Sequence, residues 1–145
     1  MDVSHFFSKD QQDAILNAIV EAELNTSGEI RVHIESYCNG DPLKRAVSLF
    51  HSLGMHKTKL HNGVLFYIAL KSHKLAIIGD TAIHHHVSQS FWDEQSANMM
   101  KLFAENHYTE ALIASILATG EKLKEHFPHQ ESDVNELPDE ISFGS

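Results

Sequence analysis

Apolar residues recur at helical spacing near the start of the chain, where Ala14, Ile15, Ala18, Ile19 and Ala22 share one face. Ser8 followed by Gln11 is a capping-box pattern that opens this helix, which is expected to end near Asn25. The period then changes from helical to alternating. In "GEIRVHIE", Ile30, Val32 and Ile34 point one way and Arg31, His33 and Glu35 the other, the mark of a strand with one dry face and one polar face. Asp41 and Pro42 pair as N-cap and first-turn residue of a second helix. Its expected buried stripe is Leu43, Ala46, Val47, Phe50 and Leu53, and Gly54 ends it. "NGVLFYIAL" is an almost unbroken apolar run and reads as a central strand covered on both faces.

"KSH" makes a short turn into "KLAIIGD", the return strand of a hairpin. Ile83 and Val87 lie four apart and imply a helical turn through the three histidines between them. From Ser90 the helical period returns, with Trp92, Ala97, Met99, Met100 and Phe103 largely on one side. Thr109 is the expected cap of a last helix that turns Leu112, Ile113, Ile116, Leu117 and Leu123 inward, and Pro128 follows its end. Helix, strand, helix, hairpin, helix, helix is the plan of a three-layer α/β/α sandwich around a small mixed central sheet. Residues 1–128 are expected to form one domain, and residues 129–145 an acidic tail, extended or disordered.

Composition narrows the class. A chain of 145 residues with 42% apolar residues can bury a real core. No apolar run approaches the roughly 20 residues that span a bilayer, and the first residues carry no secretory pattern. A single cysteine excludes an internal disulfide. A cytoplasmic protein without a membrane anchor is the resulting expectation. The formal charge of −9, with no Lys/Arg cluster, disfavours nucleic acid and favours cations as partners. The acidic tail offers a contact for a protein partner.

The stretch "SYCNGDPLKRA" has the order of parts of a cysteine-phosphatase loop. That loop needs arginine at the sixth position after the cysteine, where Lys44 stands, and Arg45 comes one residue late. One residue turns a helical side chain by about 100°. Pro42 removes an amide and Asp41 adds negative charge, so Cys38 reads as an ordinary loop thiol and Arg45 as a surface or ion-pair residue. His84, His85 and His86 fan out on a helical turn and read as solvated. No HExxH, CxxC or Cys/His quartet accompanies them.

The acids are brought together by topology. If the first two strands run parallel, Glu29, Asn62 and Asp80 share one end of the sheet, with Thr58 arriving in the adjoining loop. Two carboxylates and an amide oxygen form a partial shell for a hard divalent cation, Ca²⁺ or Mg²⁺. Asp93, early in the following helix, is a candidate third carboxylate. Glu29 paired with Arg31 or a lysine, and Asp80 as a simple cap of the next segment, are the alternative roles.

Taken in combination, "SGEIRVHIE", "LGMHKT", "NGVLFYIAL", "AIIGD", "FW" and "NELPDE" resemble the TPM domain family over nearly the whole chain. The resemblance implies an α/β/α sandwich and an association with divalent cations, calcium especially, at an acidic patch on one sheet end. It also implies a metal-assisted acid phosphatase as the alternative activity, although no nucleophile can be placed. The positions carried across are Glu29, Arg31, Asn62, Gly63 and Asp80. A common "GDxGI" reads "GDTAI" here, with Ala82 stiffening the turn after Asp80.

Overall fold

The computed structural model describes residues 3–129, 137, 139 and 141–144. Among the described residues five α-helices run in chain order: α1 (Lys9–Glu23), α2 (Pro42–Ser52), α3 (Thr81–His86), α4 (Gln89–Ala104) and α5 (Tyr108–His126). Four strands form one sheet: β1 (Glu29–Glu35), β2 (Gly63–Ala69), β3 (Lys74–Gly79) and β4 (Ile141–Phe143), in the order β3-β2-β1-β4. β1 pairs parallel with both β2 and β4, and β3 pairs antiparallel with β2. The sheet is mixed, as expected.

Local chemistry starts the helices where the pattern placed them. Ser8 Oγ accepts from Gln11 N at 3.1 Å and Gln11 Oε1 accepts from Ser8 N at 2.9 Å, so the capping box closes both ways. Asp41 Oδ1 accepts from Leu43 N at 2.9 Å, with Pro42 at the first helical position. Gly54, at φ 74°, takes the left-handed turn that follows α2.

The even-numbered residues of β1, Ile30, Val32 and Ile34, join Val64, Phe66 and Ile68 of β2 in one core shared with α1, α4 and α5. On the other face, Leu65, Tyr67 and Ala69 pack with Ala46, Leu49 and Phe50 of α2. Helices therefore cover both faces. α1 and α5 meet closely at Gly120, where an added Cβ would stand 2.6–2.9 Å from Ala22. We expect Gly120→Val to destabilise the domain by about 1–3 kcal/mol through overpacking, measured by urea unfolding. An unchanged midpoint would show that the two helices separate freely.

Three expectations need correction. Leu43 and Val47 are 52% and 45% exposed, while Leu49 is buried, so the buried stripe of α2 is narrower than its apolar pattern. α2 lies over the β2–β3 side of the sheet and packs there through Ala46, Leu49 and Phe50. α5 begins at Tyr108 with His107 as its cap, so Thr109 lies inside the first turn. The polar face of β1 is not wet: Arg31, His33 and Glu35 are all buried. Of the expected tail, Ile141–Phe143 form β4 and Leu137 is buried; residues 130–136, 138, 140 and 145 lie outside the described residues. Among the described residues no helix is long and apolar enough to cross a membrane.

Candidate functional site

The strand pairing sets out the rim. Glu29 is the register partner of Gly63, and Asp80 N donates to Gly63 O at 3.0 Å. Glu29, Gly63 and Asp80 thus stand side by side at one sheet end, with Asn62 immediately before Gly63. Two strand spacings separate the outer pair by roughly 10 Å at the backbone. Met55 and Leu137 pack on the side of Gly63 where a side chain would project.

Each acid is held differently. Asp80 caps α3: its Oδ1 accepts from Thr81 N at 2.7 Å. Its Oδ2 is buried and accepts no hydrogen bond, and the half-exposed His61 Nδ1 stands at ion-pair distance, 3.5 Å away. Glu29 is buried, and its Oε1 accepts from the backbone N of Leu137 at 2.6 Å. Asn62 is buried and its amide donates to Ser27 Oγ at 3.3 Å. The loop above the rim carries Thr58, whose buried Oγ1 also lacks a hydrogen-bond partner. His61 sits in the left-handed region at φ 51°, and its carbonyl accepts from Ala82 N at 3.1 Å. Asp93 is exposed, one turn into α4, and accepts from Gln89 Nε2 at 3.0 Å. The structure brings Glu29, Asn62 and Asp80 to a common edge. Among the described residues, no three Asp, Glu, His or Cys side chains converge as a ready-made metal site.

A second acidic feature was not apparent from sequence. Glu23, at the end of α1, accepts from Ile30 N at 2.8 Å. Burial, and then a hydrogen bond shared with Asp139, push its carboxyl up to about 9, so it holds a proton at neutral pH. The segment that carries Leu137 and Asp139 is therefore tied to Glu29 by a backbone amide and to Glu23 by a shared proton. No local signal could reveal this pairing, since the partners are more than a hundred residues apart.

The far end of β1 holds the best-connected polar cluster. Glu35 accepts from Arg45 Nε at 3.0 Å and Nη2 at 2.9 Å, from Tyr67 OH, and from His33 Nε2 at 3.2 Å. His33 Nδ1 lies 2.8 Å from Ser142 Oγ on β4. Because Nε2 faces a carboxylate, it carries the ring proton and Nδ1 accepts from Ser142. Burial pushes the Glu35 carboxyl up, but the hydrogen bonds from Arg45, Tyr67 and His33 outweigh it and hold it at about 2. Burial lowers the His33 pKa, and burial followed by the Glu35 hydrogen bond raises that of Tyr67. Gly144 closes the cluster, since a Cβ there would lie 2.5 Å from Glu35 Oε1.

This arrangement answers the question posed by Cys38 and Arg45. The guanidinium fork is filled by the protein's own carboxylate, so Arg45 is an ion-pair residue. Cys38 is a buried loop thiol whose Sγ donates to Gly40 O at 3.5 Å. His84, His85 and His86 lie exposed on α3, as expected for solvated side chains.

Comparison with known proteins agrees with the architecture. The family model described as "TPM domain" matches residues 1–122. The chain is 40% identical to the BA42 protein of the psychrophilic bacterium Bizionia argentinensis, whose NMR structure superposes with a TM-score of 0.89 over 96% of each chain. Two more distant solution structures share the fold. The N-terminal domain of the cg2496 protein of Corynebacterium glutamicum is 15% identical, with a TM-score of 0.68 over 93% of this chain and 84% of that one. An N-terminal domain from P. gingivalis is 18% identical, with a TM-score of 0.69 over 86% and 83%. No curated protein matches.

Proposed function

The chain belongs to the TPM domain family, and on that premise we propose that it binds a hard divalent cation, Ca²⁺ or Mg²⁺, at the rim marked by Asp80. The observation that carries this reading is the buried, unsatisfied Oδ2 of Asp80. A buried carboxylate oxygen that accepts no hydrogen bond is costly, and a cation taking the place of His61 beside it would remove that cost. The unsatisfied Thr58 Oγ1 and the left-handed His61 in the adjoining loop support it.

The side chains proposed as donors offer oxygen, which suits Ca²⁺ or Mg²⁺. Asp80 would supply the anchoring carboxylate. Glu29 would contribute charge and not a ligand, because Met55 and Leu137 pack between it and Asp80 and one of its oxygens already holds the Leu137 amide. Asn62 would reach the ion only by leaving Ser27, and Asp93 would contribute charge from α4. With so few direct ligands, water fills most of the shell, and the Kd is expected at roughly 0.1–1 mM. A regulatory or partner-fixing role fits such an affinity better than a permanent structural one.

Titration with Ca²⁺ and with Mg²⁺, followed residue by residue in NMR, should move the amides of residues 29, 61–63 and 80–81. Asp80→Asn preserves the helix cap and should abolish those shifts. Identical titrations in the two proteins would remove the site. The phosphomonoesterase alternative would need a phosphate-binding cation. Arg45 is occupied by Glu35 and Arg31 is buried under α2's side of the sheet, so we do not favour it.

A further inference from the structure

β3 is the edge of the sheet, and its outer side is unusually open to pairing. The bond from Asp80 N to Gly63 O fixes the antiparallel phase. Residues 74, 76, 78 and 80 turn their backbone groups inward to β2, and Leu75, Ile77 and Gly79 turn theirs outward. Among the described residues nothing hydrogen-bonds to those outward groups. The common protections of an edge are missing: the register has no bulge, and the strand has no proline. Its lysine, Lys74, is drawn back, with Nζ 3.0 and 2.9 Å from the carbonyls of Cys38 and Gly40.

A groove of about 460 Å³ runs along this edge. Leu43 and Val47 of α2 form one wall, Trp92 of α4 the other, and Ile77 and Ile78 the floor. The exposure of Leu43 and Val47, unexplained by the packing of α2, makes sense as the wall of a binding groove. Asp80 closes one end and is the only Asp, Glu, Lys or Arg among the described residues that line it.

We propose that an extended segment of a partner protein adds to β3 as a fifth strand, with β-branched apolar side chains between the walls and a Lys or Arg beside Asp80. Backbone hydrogen bonds to Leu75, Ile77 and Gly79 supply affinity, and the apolar walls with the single acid supply selectivity. The net charge of −9 attracts a basic segment and opposes pairing with a second copy of this chain.

The probe is a capped heptapeptide of alternating valine and threonine with lysine at each end, so that either strand direction brings one lysine to Asp80. Titration is run in EDTA without divalent cations, which separates it from the cation reading. Peptide should shift the amides of residues 75, 77 and 79 and the Trp92 indole. Val47→Lys, a change at an exposed position, should weaken binding by at least about tenfold, as should exchanging both peptide lysines for glutamate. Leu43→Lys serves as the second variant. Absence of shifts at millimolar peptide, shifts outside the groove, or equal binding by both variants would overturn the proposal. So would concentration-dependent dimerisation of the peptide-free protein that Val47→Lys abolishes, because the occupant would then be a second copy.

Discussion

Glu35→Gln is expected to destabilise the domain by about 3 kcal/mol at neutral pH, the size of effect seen when one partner of a buried ion pair is removed. The carboxylate is the shared acceptor of Arg45, Tyr67 and His33. Glutamine keeps one acceptor oxygen, but its NH₂ group must face donors that already point inward. Arg45 is 43% exposed and recovers some hydration, which holds the loss below the upper end of the buried-pair range. Tyr67 is fully buried, and Tyr67→Phe should cost about 1.5–3 kcal/mol for the lost hydrogen bond to the ionised Glu35.

The pH dependence follows from the direction of the Glu35 shift. Its folded pKa, about 2, lies below the unfolded value of about 4.3. The stabilisation is therefore present above about pH 4.3 and is lost as pH falls towards 2. Urea unfolding at pH 7 and pH 3 tests this: the gap between wild type and Glu35→Gln should narrow at the lower pH. Equal gaps at both would mean that the carboxylate's charge is not what binds the cluster.

Glu23→Gln is expected to act in the opposite sense and stabilise the protein at alkaline pH. The folded pKa of Glu23, about 9, lies above its unfolded value, so the folded state binds the extra proton. Stability is then greatest below about pH 4.3, falls as pH rises, and levels off above 9. Glutamine imitates the protonated acid. Its oxygen accepts from Ile30 N while its amide donates to Asp139. After allowance for solvent near this half-buried group, the gain at pH 9 should be about 3 kcal/mol. The comparison is the difference between the two stability curves from pH 5 to 9.5, which cancels the other titrating groups. Parallel curves would show that no proton is shared there.

Both predictions concern where the C-terminal segment docks. Leu137 and Asp139 meet Glu29 and Glu23 at the rim, whereas Ser142 and Gly144 meet His33 and Glu35 at the other end of β1. Leu137 and Asp139 thus meet one polar cluster and the β4 region the other. An acidic, proline-containing sequence has no hydrophobic period by which to announce such a strand.

Period and punctuation along the chain determined the helices, the hairpin and the layered plan, because capping boxes, glycine turns and alternating apolar residues act over a few positions. They also placed Glu29, Asn62 and Asp80 on one rim, since parallel and antiparallel pairing leave little freedom for strand ends. Tertiary structure alone decided which side chains are dry. Arg31, His33 and Glu35 alternate like a solvated face, yet α2 and the C-terminal strand bury them. Leu43 and Val47 look like core, yet they border a groove. Burial is a property of what arrives from elsewhere in the chain, and the charge states of Glu23 and Glu35 depend on it.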